Sequence, residues 1–142
     1  MKTLITQVTI TSIANHENEN AIIQSAIAVL NHANNICFSI EKINEIQIAL
    51  SEAIDNVIIF AYPNKRGKVS VSISIYDNNT LRFKVRDFGC GIKDISKSRE
   101  PLFTTEKDRL GMGFTIMESF SDKLTIRSTI GKGTIITMDF KM

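Results

Sequence analysis

From Val69 to Asp87 the side chains repeat every second residue, and that repeat dictates a sheet with one buried face. Val69, Val71, Ile73 and Ile75 alternate with Ser70, Ser72, Ser74 and Tyr76, the turn formers Asp77, Asn78 and Asn79 follow, and Leu81, Phe83 and Val85 then alternate with Arg82, Lys84 and Arg86. Successive residues of a strand point to opposite faces, so the pattern predicts a β-hairpin with one face on a core and the other in water. The next position on the apolar face should be apolar as well. It is Asp87, followed by Gly89 and Gly91.

The rest of the chain supplies the cover for that face. Residues 3–10 read as a short strand, and Ile22, Ile23, Ala26, Ile27 and Leu30 place a helix over residues 18–30. Ser39 suits a helix N-cap and Glu41 the positive end of the helix dipole. Ile43, Ile46, Leu50, Ala53, Ile54 and Val57 then mark a long amphipathic helix ending before Pro63. Residues 93–110 show no period and read as a loop with some helix, residues 114–120 as a helix, and residues 123–128 and 134–140 as a second hairpin about Gly131 to Gly133. The predicted fold class is α+β: an α/β sandwich in which helices cover one face of a mostly antiparallel, mixed sheet.

A chain of 142 residues, 43% hydrophobic and 23% charged, is expected to form one soluble globular domain spanning residues 1–142. Its net charge of +2 comes from interspersed acids and bases, without the concentrated basic face that direct nucleic-acid binding needs. No apolar stretch reaches signal-peptide or membrane-span length, and Cys37 and Cys90 lack metal-ligand spacing. These features point to a reducing, cytoplasmic setting without a membrane partner.

An ionised carboxylate on an apolar face costs several kcal/mol unless donors meet it. Two readings of Asp87 are open: the strand ends at Arg86 and Asp87 is a solvated turn residue, or Asp87 receives the amino group of a ligand beneath the sheet. On the second reading Gly89 and Gly91 keep side chains away so that a flat base approaches the backbone. Thr134 shares the parity of Ile136, Met138 and Phe140, so a second polar group enters the same face, as a strand filler or as part of a pocket for a polar heterocycle. In SEAIDNVIIF, Glu52 and Asn56 stand four apart on one helix face, either solvated or dividing proton acceptance and hard-oxygen ligation of Mg²⁺ between them. In RLGMGFTIM, Gly111 and Gly113 precede the helix of residues 114–120, a place where bare N–H groups attract phosphate or where the chain simply turns; Arg109 is a phosphate partner or a surface charge.

Taken in order, these boxes resemble the GHKL nucleotide-binding superfamily: Glu52 and Asn56 match its N box, Asp87, Gly89 and Gly91 its DxGxG box, and Gly111 and Gly113 its second glycine box. The GxxxxGK[ST] spacing of a P-loop is absent. SEAIDN, DFGCGI, EPLFTTEK and GMGFTIMESFSD are similar, more narrowly, to the sporulation anti-sigma-F factors, a family of small serine kinases.

The resemblance implies a GHKL (Bergerat) fold with ATP and Mg²⁺ as cofactors and an ATP lid over residues 101–110. It implies adenine on Asp87, Mg²⁺ on Asn56, and nucleotide contacts from Gly89, Gly91, Thr104, Thr105, Gly111, Met112, Gly113 and Thr134. Glu52 and Arg109 are implied as catalytic. The implied function is an anti-sigma factor that holds a sporulation sigma factor in an ATP-dependent way and phosphorylates a serine of its anti-anti-sigma partner, as a homodimer; the alternative is a nucleotide-gated sigma-binding module without significant kinase activity. No Lys or Arg occurs between Thr3 and Glu41, so a relative's basic partner contact on the first helix has no counterpart here.

Overall fold

In the computed structural model, residues 2–31, 38–62, 65–92 and 107–141 are described, with residues 107–110 defined by their helical backbone alone. Five strands form one sheet: β1 (Leu4–Ile13), β2 (Lys68–Tyr76), β3 (Thr80–Asp87), β4 (Lys123–Thr129) and β5 (Gly133–Lys141). Among the described residues three α-helices accompany it, α1 (His16–Asn31), α2 (Ile40–Asn56) and α3 (Lys107–Phe120). The spatial order is β1-β2-β3-β5-β4, and all four neighbouring pairs are antiparallel. The sheet is therefore uniformly antiparallel among the described residues rather than mixed.

The period-two pattern settles the register. Val71 faces Val85, Ile73 faces Phe83 and Ile75 faces Leu81 across the first hairpin, and Phe83 faces Met138 on β5. Their inward side chains are at most 3% exposed, and Phe83 meets Phe140 edge-on with ring centroids 5.9 Å apart. Ile46, Leu50 and Ile54 of α2 with Phe114 and Met117 of α3 close the other side of this core. The hairpin turn needs one left-handed residue, and Asn79 supplies it at φ 62°.

The outer face is polar and charged. There Arg82 donates from Nε to Asp139 Oδ1 at 2.7 Å and from Nη2 to Oδ2 at 2.9 Å, across the directly paired positions of β3 and β5. No sequence pattern singled out this two-pronged ion pair.

Three boundaries differ most from the sequence expectation, the others by one or two residues. β1 runs to Ile13 because pairing with β2 continues to Lys68, beyond the apolar alternation. Ser39 caps α2 as expected, its Oγ accepting from Lys42 N at 3.1 Å, but the regular helix stops at Asn56 and a single π-helical turn follows over Val57–Ala61. The third difference is the start of α3 at Lys107, so Gly111 and Gly113 lie inside the helix rather than ahead of it. The bare N–H groups expected at Gly111 and Gly113 are thus within a helical run, and α3 begins four residues upstream of the first of them.

Candidate functional site

Asp87 is the last residue of β3, faces inward, and is 6% exposed. The solvated-turn reading of this residue is therefore excluded. Its Oδ1 accepts from the backbone N–H of Gly89 at 3.0 Å and of Thr134 at 3.2 Å. Burial raises the carboxyl above the usual carboxylate range, and these two donors offset part of the rise.

The loop after Asp87 is held from three sides. Tyr62 Oη accepts from Phe88 N at 2.8 Å and donates to the Lys68 carbonyl at 2.6 Å. Cys90 N donates to the Ala61 carbonyl at 3.0 Å, which ties the loop to the end of the π turn. Ile92 N donates to Ser128 Oγ at 2.7 Å, and Ser128 Oγ lies 2.8 Å from Thr134 Oγ1.

The glycine spacing follows from this clamping more than from room for a ligand. A β-carbon on Gly89 would stand 2.1 Å from the Ala61 carbonyl oxygen, and Gly91, at φ +80°, would place one 2.5 Å from the Thr129 carbonyl oxygen. At both glycines, backbone of this same chain stands where a β-carbon would be.

Beneath the loop is a narrow cavity with about 20 Å³ open, room for about one water molecule. Asp87, Thr134, Gly91 and Asn56 border it with the apolar groups of Val57, Phe60, Ala61, Ile92, Phe114 and Ile136. An apolar slot with a few convergent polar groups is the usual form of a small-molecule site. Phe60 and Ala61, to which the sequence reading gave no role, form part of its wall.

A second cavity of about 140 Å³ lies beyond Asn56, bordered by Glu52, Asp55, Asn56, Ile59, Met112 and Ile116. Asn56 thus belongs to both cavities. It is 8% exposed, and its buried Nδ2 has no hydrogen-bond partner among the described residues. Helix spacing turns Glu52 and Asn56 toward α3, where a β-carbon on Gly113 would sit 3.1 Å from Glu52 Oε2 and 3.4 Å from Asn56 Oδ1. The missing side chain leaves a carboxylate and an amide facing a common gap. Rotating the amide exchanges its oxygen and nitrogen, so either an acceptor or a donor can be offered to a guest. Carboxylate and amide oxygens are the donor set a hard cation takes, and the residues present fit Mg²⁺.

The structure thus brings Glu52, Asn56, Asp87, Gly91, Met112 and Thr134 to two adjoining cavities, with Gly89 bonded to Asp87, Gly113 facing Glu52 and Asn56, and Gly111 two residues before Gly113 on α3. Thr104 and Thr105 lie outside the described residues, as does the side chain of Arg109. Sequence reasoning missed Tyr62 and Ser128, which hold the Asp87 loop. Parity could have found Ser128, which follows Leu124 and Ile126 on one face of β4 and pairs with Thr134. Tyr62 left no comparable signal.

This fold and site define a histidine kinase-like ATPase domain, an ATP-binding class, and residues 14–140 match the family of that description. Over 102 residues the chain is 48% identical to the anti-sigma F factor of Caldanaerobacter subterraneus subsp. tengcongensis, covering 70% of this chain and 71% of that one. Over 131 residues it is 41% identical to the anti-sigma F factor of Clostridium acetobutylicum, covering 91% and 89%. The chain belongs to the anti-sigma F factor family. The fold recurs in the RsbU and RsbW domains of a Mycobacterium tuberculosis protein (TM-score 0.69, 16% identity, 96% of this chain and 32% of that one). It recurs again in the histidine kinase domain of a blue-light activated kinase from Erythrobacter litoralis (TM-score 0.61, 19% identity, 87% and 59%).

Proposed function

We infer that residues 1–142 act as a single ATP-dependent protein serine kinase domain that also holds a sporulation sigma factor while ATP is bound. Its phosphoryl acceptor is a serine of a small anti-anti-sigma protein, and it works as a cytoplasmic homodimer. The observation that carries this reading is the position of Asn56 between an apolar slot ending in Asp87 and a polar gap ending in Glu52. A nucleotide has that same division between a flat base and charged phosphates.

Asp87 accepts from the exocyclic amine of adenine, with Thr134 beside it. Base entry widens the narrow slot at its half-buried walls, Phe60 and Ile92. Asn56 would hold Mg²⁺, which when bound would neutralise the charge that develops on the phosphates. Gly111, Met112 and Gly113 pass close to the phosphates, with Arg109 in the first turn of α3 and Thr104 and Thr105 in the preceding lid as further contacts. Glu52 orients the acceptor serine and takes its proton as the hydroxyl oxygen attacks the terminal phosphorus, whose bond to the β–γ bridging oxygen breaks so that ADP leaves with that electron pair. Phosphoryl transfer depends mostly on positioning and charge, to which general-base help adds about 10²–10⁴-fold.

The test incubates purified protein with labelled ATP, Mg²⁺ and the anti-anti-sigma protein, wild type against Glu52→Gln. The expected result is label on the substrate serine with wild type and a loss of about 10²–10⁴-fold in the variant. Both proteins should gain thermal stability from Mg-ATP. Equal transfer by both removes the base role of Glu52; no transfer by wild type despite ATP binding makes the chain a nucleotide-gated sigma-binding module instead.

A further inference from the structure

On the side of α2 toward α1, one imidazole and two carboxylates converge: His16 and Glu19 from α1 and Asp55 from α2. One ligand atom from each lies within 4.8 Å of the others. We propose that this cluster is a binding site for a first-row divalent transition metal of the zinc class, which cross-links α1 to α2.

The local structure orients the ligands. Asn15 Oδ1 accepts from Asn18 N at 2.8 Å, which fixes the start of α1 and places His16 in its first turn, with Glu19 three residues on along the same face. Ser51 Oγ donates to Glu19 Oε1 at 3.1 Å, and the other carboxylate oxygen, Oε2, stands 3.7 Å from His16 Nδ1. A hydroxyl that holds one oxygen and leaves the second to a cation is a common outer-sphere arrangement in metal sites. Around zinc, with bonds of about 2.0–2.2 Å, tetrahedral ligand atoms lie roughly 3.3–3.6 Å apart. The His16–Glu19 pair needs only a small side-chain movement to reach that.

An imidazole nitrogen with two carboxylate oxygens favours Zn²⁺, Co²⁺ or Ni²⁺ over Mg²⁺, which prefers an octahedron of oxygens. Glu19 is mostly shielded from solvent, with 16% of its side chain exposed, while His16 is open at 70%, so a metal can enter from that side. Asp55 immediately precedes Asn56 and borders the second cavity. A metal here would therefore anchor the helix that presents the N box, without occupying the gap between Glu52 and Asn56.

The experiment titrates chelator-stripped, nucleotide-free protein with Co²⁺ and follows its visible absorption, then competes with Zn²⁺ and with millimolar Mg²⁺. One equivalent of Co²⁺ should bind, Zn²⁺ should displace it and Mg²⁺ should not. His16→Ala, an exposed change that leaves the core intact, should weaken binding at least 10-fold, as should Glu19→Gln, whereas a Cys37→Ser/Cys90→Ser variant should bind as wild type does. Absence of saturable binding, a His16→Ala variant that titrates like wild type, or loss of binding with the cysteines would each overturn the site.

Discussion

Thr134 N donates to Asp87 Oδ1 at 3.2 Å across 47 residues of sequence, joining the end of β3 to the start of β5 beneath the glycine loop. Gly89 N donates to that same oxygen, so Oδ2 takes part in neither bond. Burial nevertheless keeps the carboxyl above its ordinary range. A carboxylate with a raised folded-state pKa opposes folding when ionised, and that opposition disappears as pH falls below the raised value. Ligand binding runs the other way, because an amine donor needs the ionised form. ATP affinity should therefore decline on acidification at a higher pH than for an ordinary carboxylate, while Asp87→Asn at neutral pH should melt no lower than wild type. Calorimetric titrations across the acidic range, with melting curves of the free proteins, check both.

Asp139 behaves oppositely. Burial pushes its carboxyl up, but the hydrogen bonds and charge of Arg82, together with Lys2 and Lys123, outweigh that and hold it below the usual range. Its contribution is present above the unfolded-state pKa and is lost as pH falls through the lowered folded value. Asp139→Asn breaks the two-pronged pair and should cost about 1.5–3 kcal/mol at neutral pH, with the difference from wild type shrinking in acid. Urea unfolding at two pH values measures it.

The glycines separate sharply by surroundings. Gly89→Ala drives a β-carbon into the Ala61 carbonyl and should destabilise by about 1–3 kcal/mol or more. Gly131→Ala meets nothing within 4 Å and should cost only the left-handed conformation at φ +80°, about 1–2 kcal/mol. Only the first should also weaken ATP binding, since Gly89 N bonds Asp87 itself, whereas alanine at 131 keeps the N–H that donates to the Cys90 carbonyl; thermal melts and ATP titrations on both variants distinguish them.

Gly113→Ala tests the gap between the helices. Alanine favours a helix interior over glycine by about 1 kcal/mol, so the melting temperature should hold or rise slightly. The added methyl sits 3.1 Å from Glu52 Oε2 and must displace it by a few tenths of an ångström. If Glu52 is the base of the proposed serine kinase, phosphoryl transfer should fall by roughly 10-fold or more, because displacing such a group carries a large rate penalty. Steady-state transfer assays beside a melting curve reveal the split.

Side-chain period made much of this molecule legible. Parity alone put Asp87 and Thr134 on the buried face, and helix spacing put Glu52 and Asn56 together, because strands and helices repeat with fixed geometry. What escaped was set by contacts between segments distant in sequence. The Ala61 carbonyl against Gly89, Tyr62 against Phe88 and the Arg82–Asp139 pair depend on where the chain returns. Period likewise could not show that α3 starts at Lys107, since Gly111 and Gly113 look like a turn until α2 packs against them.

The most direct test compares ATP with inosine triphosphate, in which an oxygen replaces the exocyclic amine, by calorimetric titration of wild type and Asp87→Asn. Wild type should bind ATP at least 10-fold more tightly, and Asp87→Asn should lose most of that preference. Equal binding of the two nucleotides by wild type, or an Asp87→Asn variant that discriminates as well as wild type, would contradict the adenine contact at Asp87.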